Sequence, residues 1–80
     1  MTQLLKGHYY RIKRVLKQPN QSAYRYKLLA MGLVPGAQLY VKRIAPLGDP
    51  IQFEINGSSI SLRRRELDAF LQLENNHDNK

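Results

Sequence analysis

The side chains able to do covalent or acid–base chemistry are few in this 80-residue chain: two histidines, His8 and His77, six carboxylates and no cysteine. Without cysteine there is no thiol nucleophile, no thiolate metal site and no disulfide framework. General acid–base work needs titratable groups held across a reacting bond. Glu66 and Asp68 fall on a tight turn and Asp49 in a loop, none paired at such a spacing. A tight metal site needs several converging His, Cys or carboxylate ligands. His8 stands at a strand entrance and His77 in a polar tail, so the expectation is no resident metal. A ferrous ion touching Asp49 or His8 transiently, as in a sensor, is the weakest of the readings considered. Phosphate loops of the Gly-x-x-x-x-Gly-Lys and Gly-x-Gly-x-x-Gly kinds are absent. The residues point to a protein that is not an enzyme and carries no cofactor.

What remains is the chemistry of contact. Pro46-Leu47-Gly48-Asp49-Pro50 is the most unusual local sequence. Its two prolines restrict the chain on both sides and Gly48 permits a reversal, so Leu47 and Asp49 are held at set angles. A loop ordered in advance loses less entropy on docking. The candidate partner-binding set is therefore Pro46, Leu47 (the apolar anchor), Gly48, Asp49 (a hydrogen-bonding or charged contact) and Pro50. Arg25, Lys27, Leu28 and Met31 join it from a neighbouring helix, Arg25 and Lys27 as the rim. The plainer reading makes the loop a hairpin connection and Tyr24, Leu28 and Met31 mainly a buried stripe. A rival function is nucleic-acid binding by Tyr9, Arg11, Lys13, Tyr40 and Lys42, which interleave aromatic rings and positive charge on outward strand faces. Arg63-Arg64-Arg65 would add phosphate contacts. The same residues are also ordinary outward strand chemistry, and Glu66 and Asp68 partly neutralise the arginines.

Net charge is +7, unevenly spread. Residues 1–48 hold nine Lys or Arg and no acid, whereas 49–80 hold four basics and six acids. Such asymmetry suits a face turned toward something anionic, or simply aids solubility. Eighty residues make one domain, expected over 1–74, with 75–80 a disordered polar tail. No apolar run approaches the ~20 residues that span a bilayer, and the N-terminus lacks the apolar core of a signal peptide. The default location is the cytosol.

The elements that must position these residues follow from periodicity. Met1–Lys6 reads as a loose lead-in. Gly7–Val15 is a strand with Tyr10 and Ile12 on one side and Tyr9, Arg11 and Lys13 on the other; Val15-Leu16 breaks the phase, the mark of a bulge. Ser22 is the expected N-cap of a helix that Gly32 ends, with Leu33 placed to meet Leu28 in a Schellman ending. Val34-Pro35-Gly36-Ala37 reads as a type II turn. Leu39–Ile44 is a strand with Leu39 and Val41 inward, and Ile44 out of phase points to a second bulge. Ile51, Phe53 and Ile55 alternate with polar residues, and Asn56-Gly57 is a strong hairpin signal that returns the chain through Ile60 and Leu62. Arg63–Ala69 reads as one helical turn with Leu67 plugging an end, and Phe70–Leu73 as a closing strand. Five short strands with one helix between the first two favour a mainly β, SH3-like, partly open barrel over an OB-like one.

Three segments carry a family resemblance. Tyr26-Lys27-Leu28-Leu29-Ala30-Met31-Gly32-Leu33-Val34-Pro35-Gly36 resembles the Arg/Lys-Leu-Leu-x-Met/Leu-Gly-Leu/Met-x-Pro-Gly pattern of the FeoA family, the small ferrous iron transport A proteins of bacteria. Val41–Ile51 resembles that family's second signature, and Ile60-Ser61-Leu62-Arg63 its Ser-Leu-Arg/Lys element. Each motif alone is a helix stop or a turn; the three in order and spacing span about Gly7 to Leu73. The resemblance implies an SH3-like barrel in the cytoplasm, at the inner face of the plasma membrane when bound to its partner. That partner is the cytosolic region of the membrane GTPase and ferrous permease FeoB. It implies an accessory role, regulating or supporting iron uptake by protein–protein contact. Nucleic acid is not expected as a partner, and weak self-association is a further expectation. A positive face would sit favourably beside the anionic leaflet.

Overall fold

A computed structural model describes residues 3–76. The chain runs β1 (Tyr9–Val15), α1 (Ser22–Ala30), β2 (Gln38–Ile44), β3 (Ile51–Ile55), β4 (Ser58–Leu62), α2 (Arg64–Phe70) and β5 (Leu71–Asn75). The five strands form one antiparallel sheet in the order β4-β3-β2-β1-β5. β4 and β5 are thus the two edges, and α2 carries the chain directly from one to the other. The mainly β, five-stranded, open architecture expected from the sequence is the one observed.

Alternation sets the core. Tyr10 and Ile12 of β1, Leu39 and Val41 of β2, and Ile51, Phe53 and Ile55 of β3 all point inward and are buried, joined by Leu62. Leu28 of α1 and Leu67 and Phe70 of α2 close the same cluster. Both expected bulges are present, between Ile12 and Arg14 and between Val41 and Arg43. Each lets the strand change which side chains face in, which curls the sheet.

The helix stop has the expected form. Leu33 N–H donates to Leu28 O (3.1 Å) and Gly32 N–H to Leu29 O (3.0 Å), the pair of bonds of a Schellman ending. Gly32 takes φ +94°, a conformation that side chains with a Cβ rarely adopt. The Asn56-Gly57 turn has positive φ at both residues, 50° and 81°, as a two-residue hairpin connection requires.

Four local expectations need correction. The N-cap is Gln21, without a side-chain cap bond, and not Ser22. Gln21 O already accepts from Arg25 N–H at 3.1 Å, which places Ser22 one residue inside the helix. Met31 does not finish the buried stripe: it is the C-cap and 38% exposed. The turn at Gly32 swings the chain so that Leu33, fully buried, fills the core there instead. The lead-in is not loose where it is described. Leu4 is in the core, and Leu5 N–H donates to Tyr10 Oη (2.9 Å) while Tyr10 O–H donates to Gln3 O (3.3 Å). Residues 75 and 76 do not belong to a disordered tail, because Asn75 ends β5 and Asn76 is buried, its N–H donating to Tyr9 O at 3.3 Å. Residues 77–80, His77 among them, lie outside the described residues.

Candidate functional site

The 46–50 loop joins β2 to β3 at a tight base. Ile44 pairs with Ile51, Ala45 N–H donates to Pro50 O (3.1 Å), and Gly48 N–H turns back to Ala45 O (2.7 Å). The Asp49–Pro50 peptide bond is cis. At the tip, Leu47 is 97% exposed.

Three links tie this loop to α2. Asp49 Oδ1 accepts from Arg64 N–H at 2.9 Å, Arg64 Nε–H donates to Gly48 O at 2.7 Å, and Arg63 Nη1 lies 3.8 Å from Asp49 Oδ2. The first N–H groups of a helix have no partner within it and carry the positive end of its dipole. A carboxylate from another loop therefore caps α2 from outside, and Asp49 sets the loop's posture instead of projecting from it. At the same terminus Arg63 N–H donates to Glu66 Oε1 at 2.7 Å. Asp49→Ala is expected to cost about 1 kcal/mol in urea unfolding, as loss of a cap does, whereas Asp49→Asn keeps an acceptor and should lose less than half of that. Equal losses in the two variants would argue against capping.

Single exposed leucines are common on protein surfaces and need no explanation. Leu47 differs because the backbone beneath it is bonded at both ends and braced from α2, so its exposure is built in. The arginines that brace it, Arg63 and Arg64, are two of the three that the rival nucleic-acid reading would turn toward phosphate.

α1 does not extend this surface. Arg25 turns inward, its Nη2 donating at 3.5 Å to Val15 O and its Nε buried without a hydrogen-bond partner, so it forms no rim. Leu28 is in the core. Lys27 and Met31 are exposed, but on the C-terminal half of α1. A Cβ added at Gly32, next to Met31, would lie 3.4 Å from Asn56 Nδ2, which puts this end of α1 against the β3–β4 turn. The loop sits at the other end of β3, about 13 Å away at ~3.3 Å per residue. The single surface expected from the sequence is therefore two patches.

α1 is instead joined to α2. Tyr24 O–H donates to Glu66 Oε2, and the Tyr24 and Phe70 rings meet at 5.1 Å between centroids. Burial first, then the bond to Glu66 and the charge of that carboxylate, push the Tyr24 phenol from 10.0 up to about 12. A phenol raised in the folded state stays protonated while the unfolded chain ionises, so its contribution is complete below pH 10.0 and is lost as pH climbs toward about 12. Urea midpoints measured across that window should fall with pH, and Tyr24→Phe should flatten the fall; an identical alkaline slope in the variant would contradict this assignment.

On the outer sheet face the Tyr9 and Tyr40 rings are 4.9 Å apart and tilted by 48° against each other. Arg11 is paired with Glu74 at 3.0 Å, and Glu54 stands opposite Tyr40. Carboxylates thus interleave with the aromatic and basic residues that a nucleic-acid groove would need. A groove of about 580 Å³ lies along α2 and β5, lined by Leu4, Leu16, Leu67, Leu71 and Leu73 with Asp68 and Gln72. Among the described residues no three His, Asp or Glu side chains come together to hold a metal ion.

The family model described as FeoA domain matches residues 1–70. The chain is 39% identical to the iron(II) transport protein A of Clostridium thermocellum, with a TM-score of 0.77 over 90% of this chain and 42% of that one. The FeoA of Stenotrophomonas maltophilia, described as a prokaryotic SH3 domain protein, shares the fold at 19% identity with a TM-score of 0.67, over 89% of this chain and 91% of that one. An Fe(2+) transport protein A/Fe(2+) transporter FeoB fusion protein of Porphyromonas gingivalis is 33% identical over 52 residues, which are 65% of this chain and 6% of the fusion. This chain therefore spans a small part of that relative and under half of the clostridial one. With the family match covering most of its length, this SH3-like chain belongs to the FeoA domain family, a family linked to ferrous iron transport.

Proposed function

We propose that this domain is a non-catalytic accessory module of bacterial ferrous iron uptake. It docks on the cytosolic region of a FeoB-type membrane GTPase and permease, and there regulates or supports transport. The observation that carries the reading is Leu47, 97% exposed at the tip of a loop braced by Arg63 and Arg64. Such a group offers apolar area with its posture already set, which reduces the ordering cost of association. Further support comes from the Porphyromonas gingivalis relative, which is named for a transport protein A and a FeoB transporter in one chain. No helix among the described residues is long and apolar enough to cross a membrane, so the module would work at the inner face of the membrane as a docked protein.

The carboxylates interleaved on the Tyr9–Tyr40 face count against a nucleic-acid groove there, so protein contact through the 46–50 loop is the better-supported reading. The test is an anisotropy titration of the labelled domain with the purified cytosolic region of a FeoB from the same organism. Saturable binding is expected, together with reduced ferrous uptake in cells lacking the domain. Absence of binding and unimpaired uptake would together overturn the proposal.

A further inference from the structure

We infer that the partner surface receiving Leu47 is an apolar socket rimmed with carboxylates. This rests on the docking reading above and adds the chemistry of the receiving site. The loop that carries the knob is bordered by basic residues. From Lys42 to Pro50 the only acid is Asp49, and its two oxygens already face Arg64 N–H and the Arg63 guanidinium. Lys42 and Arg43 are exposed where β2 enters the loop. Arg43 pairs with Gln52, one rung from the loop base at Ile44 and Ile51. On the other side Arg63 follows Leu62, which pairs with Ile51 across the β3–β4 hairpin, and 58% of its side chain is exposed. Lys42, Arg43, Arg63 and Arg64 thus stand on the two strands and the helix start that border the loop, against Asp49 as the one carboxylate of the 42–50 segment.

Seating Leu47 fully brings these cations against the partner and takes part of their water away. A charge that loses water without gaining a counter-charge is strongly unfavourable. Carboxylates around the socket recover that loss, speed encounter and reject partners with a neutral or basic rim. Apolar contact and ionic collar then separate by their response to salt, since only the collar is screened.

The experiment repeats the titration with the same cytosolic region at about 50 mM and about 500 mM salt. It compares wild type with Arg43→Glu and Arg43→Lys, because Arg43 makes no contribution to the core or to the bracing of the loop. The wild type should bind several-fold more weakly at the higher salt. Arg43→Glu should lose about tenfold at low salt and no more than about twofold at high salt, while Arg43→Lys stays within about twofold of wild type throughout. Salt-independent wild-type binding, or Arg43→Glu binding as tightly as wild type, would overturn the inference and leave the docking reading standing. Binding of the domain to vesicles of phosphatidylglycerol and phosphatidylcholine with the same dependence on Leu47 would assign the knob to lipid and overturn it too. Failure of the wild type to bind at either salt would remove the docking reading, and this inference with it.

Discussion

Leu47→Ala is expected to weaken binding to the cytosolic region of the transporter about thirtyfold, the equivalent of ~2 kcal/mol of leucine burial. The same substitution should leave urea unfolding within about 0.5 kcal/mol of wild type, the range for surface changes that touch no special feature. The two readouts separate because Leu47 is 97% exposed and absent from the buried cluster, so the folded chain loses nothing when its side chain is cut back. The loop's posture should survive as well, since its bonds run through Ala45, Gly48, Asp49 and Pro50. Leu47→Met, which keeps most of the apolar area, should retain most of the affinity. If Leu47→Ala bound as tightly as wild type, the loop would be no part of the interface. In contrast with Arg43→Glu, its effect should persist at high salt.

Phe53→Ala should be the most damaging single change to the fold, with a loss of about 3–5 kcal/mol from transfer and cavity terms combined. Phe53 is fully buried on β3, a strand paired on both sides, opposite Val41 of β2 and Ile60 of β4. Neighbours held on two flanks have little freedom to collapse into the space left behind. A domain of this size has ~5–10 kcal/mol in total, so the thermal midpoint should drop by roughly 20 °C or more. Differential scanning calorimetry checks this, and a shift of only a few degrees would show that the core repacks. Because β3 carries the 46–50 loop at its N-terminal end, loss of the strand also takes the docking surface with it.

The bracing of that loop is latent in the sequence. Asn56-Gly57 centres a two-residue hairpin, and its register sets Ile51 opposite Leu62. Two residues further along the same register, Asp49 falls beside Arg64, where the structure finds their bond. Two of the three consecutive arginines, which read locally as a run of charge, serve as scaffold. Leu4 has no such signal: a short lead-in without periodicity is held against the core by Tyr10 Oη, which accepts from Leu5 N–H, and by Gly7 N–H, which donates to Val41 O.

Family membership, the five strands, the two bulges and the helix stop at Gly32 were legible in local patterns. Each depends on interactions between residues near one another in the chain: alternation along a pleat, a left-handed glycine, a turn of two residues. The placement of the interaction residues was decided by tertiary packing. Arg25 reaches back to Val15 O, Met31 gives up its place in the core to Leu33, and the length of β3 separates the loop from the end of α1. Those outcomes depend on which elements meet across the sheet and on which polar atoms find partners there. Periodicity states only that a side chain has an inside and an outside to choose between.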